Sequence, residues 1–289
     1  MADYPKNGIE TTSRLFTFSD KDDHRLEGGR RKKKHLKKPD KSTPLVSVIT
    51  VVFNGEKDLE ETIQSVVGQT YDNLEYIIID GGSSDGTLDI IKKYEDSIDY
   101  WVSEKDRGIY DAMNKGVGLS AGKWVNFMNS GDYFYTPNAV LNIFSKIAPE
   151  GVDVVYGDHE IRYSSLKSKV VWASKDLSLI WKGMIFSHQS TFVDRGILKK
   201  YRFNIFNKIA ADYELFYNLS LNKSRFYHVP IIVASVAAGG ISDIKRVDSI
   251  VACWNVVEKT SWVNLYYIRR VIREMIRVIV INFLSLNGK

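Results

Sequence analysis

The chain has 289 residues, 44% hydrophobic and 26% charged, with a formal net charge of +5. That length and balance suit a globular protein with a full α/β core. They exclude a disulfide scaffold and a cysteine-built zinc site, because Cys253 is the only cysteine. The first twenty residues lack a long apolar stretch, and no run reaches the roughly eighteen apolar residues of a spanning helix. The expectation is a cytosolic protein without a secretory signal.

Residues 1–43 are polar and without period, and they end in the basic run Arg30–Lys38. They read as a disordered basic tail, solvated or acting as a tether to anionic lipid. From Leu45 the chemistry changes. Val46–Phe53 is almost wholly apolar, as in a strand buried on both faces of a parallel sheet. Glu56–Val67 carries Leu59, Ile63, Val66 and Val67 at helical spacing. Tyr76–Ile79 reads as a strand and Leu88–Tyr94 as a helix. Ile98–Val102 (strand), Ile109–Leu119 (helix) and Trp124–Met128 (strand) continue the alternation. Such a series predicts right-handed βαβ units.

Beyond Asp132 the pattern loosens. Val152–Tyr156 predicts a strand, Glu160–Trp172 a hairpin, and Ser187–Val193 a return to the sheet. Asp212–Leu221 has a helical period, Ile231–Val236 reads as a strand, and 243–285 as mostly helical.

Asp80 and Asp132 each close an apolar strand. In open parallel sheets ligands sit beyond the C-terminal strand ends, so the two loops can face one crevice. Asp80 could accept from a base or a ribose hydroxyl, with Gly81 and Gly82 allowing close approach; equally it could cap the following helix. Asp132 could hold a hard cation against a diphosphate, or simply close a turn. Asp111 and Lys115 lie one helical turn apart, as a helix cap and a solvated lysine would. Asp212 alone reads as an ordinary helix N-cap.

Four ordered segments then stand out: Pro44–Asn54, Tyr76–Thr87, Ser103–Gly116 and Asn129-Ser130-Gly131-Asp132. Together they resemble the family 2 glycosyltransferases of GT-A fold, nearest the colanic-acid and O-antigen type that builds bacterial surface polysaccharides. The resemblance runs from about Pro44 to about Ser242. It implies an α/β, Rossmann-like, mostly parallel sheet flanked by helices over 44–242, followed by a helical, amphipathic tail over 243–289. It implies an inverting transfer of a hexose from a nucleotide-diphosphate sugar, UDP-linked by expectation, to a hydroxyl of a polyprenyl-diphosphate-linked glycan. Mg²⁺ or Mn²⁺ would be the cofactor.

Carried onto this chain, the resemblance places Phe53, Asn54, Asp80, Gly81, Asp111 and Lys115 at the nucleotide. Asn129, Ser130, Gly131, Asp132 and His188 complete the donor site. Asp132 would be the metal ligand, Asp212 the base and Glu214 its alternate. Gly81 and Ser130-Gly131 stand where the family often has further acids. Gly239-Gly240 could loop over the diphosphate or form a simple turn.

In the C-terminal segment Ile268, Val271, Ile272, Met275, Ile276 and Ile279 line one helical face, while Arg269, Arg270, Arg273 and Arg277 crowd the other. This is the pattern of a helix lying peripherally on the inner membrane face, or of one covering the domain's own core. Other classes fit less well. No G-x-G-x-x-G follows the first strand, which runs into Phe53-Asn54-Gly55-Glu56, and there is no Walker A motif. A catalytically weak GT-A-like scaffold binding membrane or nucleic acid would leave the acidic loops without a use.

Overall fold

Val46–Val52 (β2) and Leu74–Asp80 (β3) are buried at all seven positions each. Alternation along β2 feeds two cores at once: Ile49 and Val51 point to one, and Val46, Val48 and Val52 to the other. The computed structural model describes residues 25–33, 43–145, 151–164 and 166–287. β2 pairs in parallel with β3 and with Trp124–Phe127 (β5), and β3 pairs in parallel with Tyr100–Ser103 (β4). On one face lie the helices Leu59–Val67, Thr87–Lys93 and Ala139–Ser145; on the other lie Ile109–Leu119 and Ala211–Leu221. Gly116 lets Ile109–Leu119 close on β2, since a Cβ there would fall 2.5 Å from Ile49 Cγ2.

The α/β expectation holds, and the sheet is mixed. Thr191–Asp194 (β9) runs antiparallel to β5 and to Val154–Ser164 (β7), and Phe226–Ala237 (β10) then pairs in parallel with β7. The expected hairpin is β7 with Lys167–Val171 (β8). Tyr133–Phe134 (β6) pairs with β10. Among the described residues, with Leu26–Gly28 as β1, the order is β1-β4-β3-β2-β5-β9-β7-β10-β6, with β8 on β7. The helix expected from Glu56 begins at Leu59, because Glu56 is held in a loop by Asp85 and Gly86.

The tail expectation is corrected over residues 25–33. Leu26–Gly28 (β1) adds an antiparallel edge to β4, and Arg30–Lys33 forms a 3₁₀ turn. The cause is an acid within the sheet. Glu75 is 2% exposed and meets Arg31, Ser47 Oγ and the Ala121 N–H. Without Arg31 its charge would be buried with no countercharge. The remainder of that segment, 1–24 and 34–42, lies outside the described residues.

The C-terminal helix, Ser261–Asn287, spans 27 residues. Tyr267 is fully buried, its hydroxyl donating to Trp181 O at 2.8 Å, and its ring stacks on Trp254. Val271 also packs toward the core. Ile268, Ile272, Met275, Ile276 and Ile279 are exposed. One side of the helix therefore covers the domain, and another presents an apolar stripe. Among the described residues no helix is long and apolar enough to cross a membrane.

Arg31→Ala is expected to cost about 2–3 kcal/mol in urea unfolding, the scale of a buried charge losing a partner. Adding Glu75→Gln should recover part of that loss; no change in midpoint for Arg31→Ala would refute the role assigned to 25–33.

Candidate active site

The loops after β2 and β3 are laced together. Asn54, in the left-handed region at φ 52°, accepts from Ser84 N with its side-chain oxygen, while its own N–H donates to Ser83 Oγ. Its neighbour Phe53 is 64% exposed, an aromatic face left open at a strand end. Asp80 is different. It is fully buried, and its carboxylate accepts from Gly82 N, Ser83 N, Ser83 Oγ and, at 2.6 Å, Ser103 Oγ. Asp80 shapes its own loop and presents no surface to a base, which corrects the expectation of direct nucleotide contact.

The acid beside that loop is Asp106. A Cβ at Gly81 would lie 2.6 Å from Asp106 Oδ2 and 3.4 Å from Phe53 Cδ2, so three residues border one space. Asp106 Oδ1 accepts from Gly108 N at 2.7 Å. Burial raises the Asp106 carboxyl above its ordinary value; the Gly108 N–H and Lys115 oppose this, and Asp111 and Asp80 add to it. The sequence carried a signal for this residue: Gly81 itself, where a second acid is common.

Asp111 and Lys115 stay within their own segment. Asp111 is buried and accepts from Arg107 N, while Lys115 Nζ pairs with Glu104 at 2.9 Å. Both expected ligand contacts are therefore replaced by internal ones. Asn114, on the same helix, clamps the backbone of Phe203 through both ends of its amide.

The chemistry converges at the loop after β5. Asn129 Nδ2 lies 3.0 Å from His188 Nε2, and His188 Nδ1 lies 3.2 Å from Asp212 Oδ2. Asp212 Oδ1 accepts from Tyr110 OH at 3.0 Å. Nδ1–H donates to Asp212, and Nε2 meets the Asn129 amide. Burial alone would raise Asp212, but the His188 hydrogen bond and charge, with the Tyr213 N–H and Tyr110 OH, bring it below the ordinary carboxylate value. Asp212 and His188 are each 18% exposed at the side chain, so the pair is reachable. Glu214, two residues along the helix, faces elsewhere: both its oxygens are taken by Asn204 and Asn207. That removes it as an alternate base.

Asp132 is 6% exposed; Oδ2 accepts from Gln189 Nε2 at 2.8 Å and Oδ1 from Ala237 N at 2.9 Å. Burial raises its carboxyl against those two bonds and the charges of His188 and Arg162. Arg162 donates to Gly131 O at 2.6 Å, and its guanidinium carbon lies 3.6 Å from the centroid of the Tyr133 ring. Beyond Ala237, Gly239 takes φ 92° with nothing within 4 Å of its missing Cβ, and its N–H donates to Asp243 Oδ2 at 3.1 Å. Arg162 was not legible as a site residue, since it reaches Gly131 O from a strand remote in sequence.

The loop fits a hard cation in part. Asn129 Oδ1 and Ser130 Oγ are buried with no hydrogen-bond partner, the condition of oxygens whose partner is a ligand. Among the described residues no group of three His, Cys, Asp or Glu could hold an ion alone. An ion here would need phosphate oxygens beside Asp132, Asn129 and Ser130.

Residues 47–230 match the model of the family described as Glycosyl transferase family 2. A PGL/p-HBAD biosynthesis glycosyltransferase of Mycobacterium bovis is 29% identical over 212 residues, covering 70% of this chain and 80% of its own. TarS (residues 1–349) of S. aureus, solved with UDP, shares the fold at TM-score 0.57 and 18% identity, over 73% of this chain and 64% of its own. A mannosyltransferase from Pyrobaculum calidifontis, solved with GDP-Man and Mn²⁺, aligns at TM-score 0.59 and 18% identity over 81% and 71%.

Because the folded value for Asp212 lies below the unfolded one, the group adds stability above the unfolded value and loses it as pH falls through the folded value. In His188→Asn the imidazole no longer opposes burial. Carboxyl-carbon NMR should then find Asp212 titrating at higher pH, with acid unfolding starting earlier; an unmoved titration would sever the His188–Asp212 link.

Proposed function

The chain belongs to glycosyl transferase family 2, and from that premise we propose that it moves a hexose from a UDP-linked donor to a hydroxyl of a lipid-linked oligosaccharide, with inversion, in surface-polysaccharide assembly. The observation that carries this reading is the continuous chain Asn129–His188–Asp212–Tyr110. It sets an ionised carboxylate one imidazole away from the loop that ends in Asp132.

The roles follow from the geometry. Phe53 offers a face for the base to stack on, and Asp106 borders the same space and can accept from a ring N–H or a ribose hydroxyl. The diphosphate would lie over Asn129-Ser130-Gly131-Asp132, approached by Arg162 and the Gly239-Gly240 loop. A divalent ion held by Asp132 and those phosphate oxygens would offset charge on the departing diphosphate. Asp212 accepts the proton of the acceptor hydroxyl as that oxygen bonds to the anomeric carbon and the bond to the nucleoside diphosphate breaks. His188 and Tyr110 fix the carboxylate and stabilise its charge before the proton arrives.

Two features of the comparisons support the finer reading. The mycobacterial relative is named for PGL/p-HBAD biosynthesis, and of the solved structures TarS holds UDP and the mannosyltransferase GDP-Man and Mn²⁺. The exposed stripe of the C-terminal helix supports a peripheral position at the cytoplasmic face of the membrane, where a polyprenyl-linked acceptor would sit.

A scan of UDP- and GDP-sugars with and without Mn²⁺ tests the donor assignment. Metal-dependent binding of a UDP-sugar, lost in Asp132→Ala, is expected; no donor bound under any metal condition would overturn it. Asp212→Asn should keep donor affinity and lower transfer by about 10²–10⁴-fold. Asp106→Asn is expected to weaken UDP binding by roughly tenfold, the scale of a lost charge-assisted hydrogen bond, with kcat little changed; an unaltered KM would refute its place at the base.

A further inference from the structure

The C-terminal helix and the 3₁₀ segment Leu177–Lys182 enclose a cleft of about 470 Å³, lined by Trp181, Lys182, Trp262, Arg269, Arg270 and Arg273 among others. The geometry points to a site for the phosphate headgroup of an anionic phospholipid. The inference deepens the membrane-contact part of the proposed function and rests on it.

Charge is the first argument. Among the described residues Arg269, Arg270 and Arg273 have no ion pair, and Glu274 is taken by Arg246 and Arg277. Arg269 and Arg273 stand one turn apart and repel each other. Arg270 is fixed by donating to Lys182 O at 2.6 Å, which draws the Lys182 segment beside the arginines. One fixed guanidinium flanked by two without a carboxylate suits an oxyanion that can take several N–H donors at once.

Position decides the source of that phosphate. At about 3.6 residues per turn, Trp262, Arg269 and Arg273 share one line of the helix. Ile268, Ile272, Met275, Ile276 and Ile279 form the adjoining line, all exposed. A soluble phosphate would leave that stripe in water. A bilayer takes both at once, with the isoleucines below the headgroups and the arginines level with them. Trp262 is 73% exposed, and Trp181 sits edge-on to Tyr266 at 5.1 Å, aromatics of the kind that favour that depth.

The test is cosedimentation of the full chain with vesicles of phosphatidylcholine alone and of phosphatidylcholine mixed with phosphatidylglycerol. Binding to the anionic vesicles only is expected. Arg269→Gln/Arg273→Gln should weaken it by about thirtyfold, at about fivefold for each charge near the surface. The exposed positions should leave the circular dichroism spectrum and nucleotide binding in solution unchanged. Equal binding to both vesicle types would overturn the proposal. So would loss of binding in Ile272→Gln/Ile276→Gln with none in the arginine variant, since the stripe would then act alone. Displacement from vesicles by inorganic phosphate would make the cleft a small-anion site, and RNA binding without vesicle binding would make it a nucleic-acid surface; either result rejects the lipid. Nucleotide binding measured on the same preparations separates the two readings: intact donor binding with no vesicle binding removes only this inference.

Discussion

The site depends on keeping one carboxylate ionised where its surroundings disfavour charge. Asp212 sits at the start of the Ala211–Leu221 helix, among Ala210, Ala211 and Tyr213, all buried. Desolvation there pushes toward the neutral acid, which could not accept a proton. His188 and Tyr110 reverse that balance by donating to its two oxygens. The imidazole is oriented in turn by Asn129, so the acid's charge state is tied to the loop that carries Asp132.

This coupling explains the form of the sheet. The parallel half, β2 to β5, sets out the donor-side loops at one edge. His188 and Gln189 come from the turn just before β9, and β9 enters antiparallel between β5 and β7. That insertion places His188 against Asn129, and Gln189 against Asp132. β10 then runs beside β7 until the Ala237 N–H reaches Asp132 from the other side. Asp132 is thus held from the turn before β9 and from β10, which a simple doubly wound sheet would not bring together.

The sequence disclosed strand ends better than side-chain directions. Unbroken apolar runs made β2, β3 and β5 legible, and a carboxylate closing an apolar strand marked Asp80 and Asp132. It could not reveal that Asp80 turns into its own loop, because four donors within reach decide that. The resemblance ranked Asp212 ahead of Glu214, and the Asn204–Asn207 turn that claims the second gives that order its physical reason. Arg31 escaped notice within a basic run, since its value lies in a buried Glu75 more than forty residues away. The C-terminal helix divided the two readings offered for it, covering the core through Tyr267 and exposing the isoleucines.

The most direct test of this account is the pH dependence of single-turnover transfer in wild type and His188→Asn with a UDP-sugar donor. If Asp212 is the base and His188 holds down its proton affinity, the acid limb of the wild-type profile lies below the ordinary carboxylate range and moves up in the variant. An acid limb that stays in place would contradict the coupling between the two residues on which the assignment of the site rests.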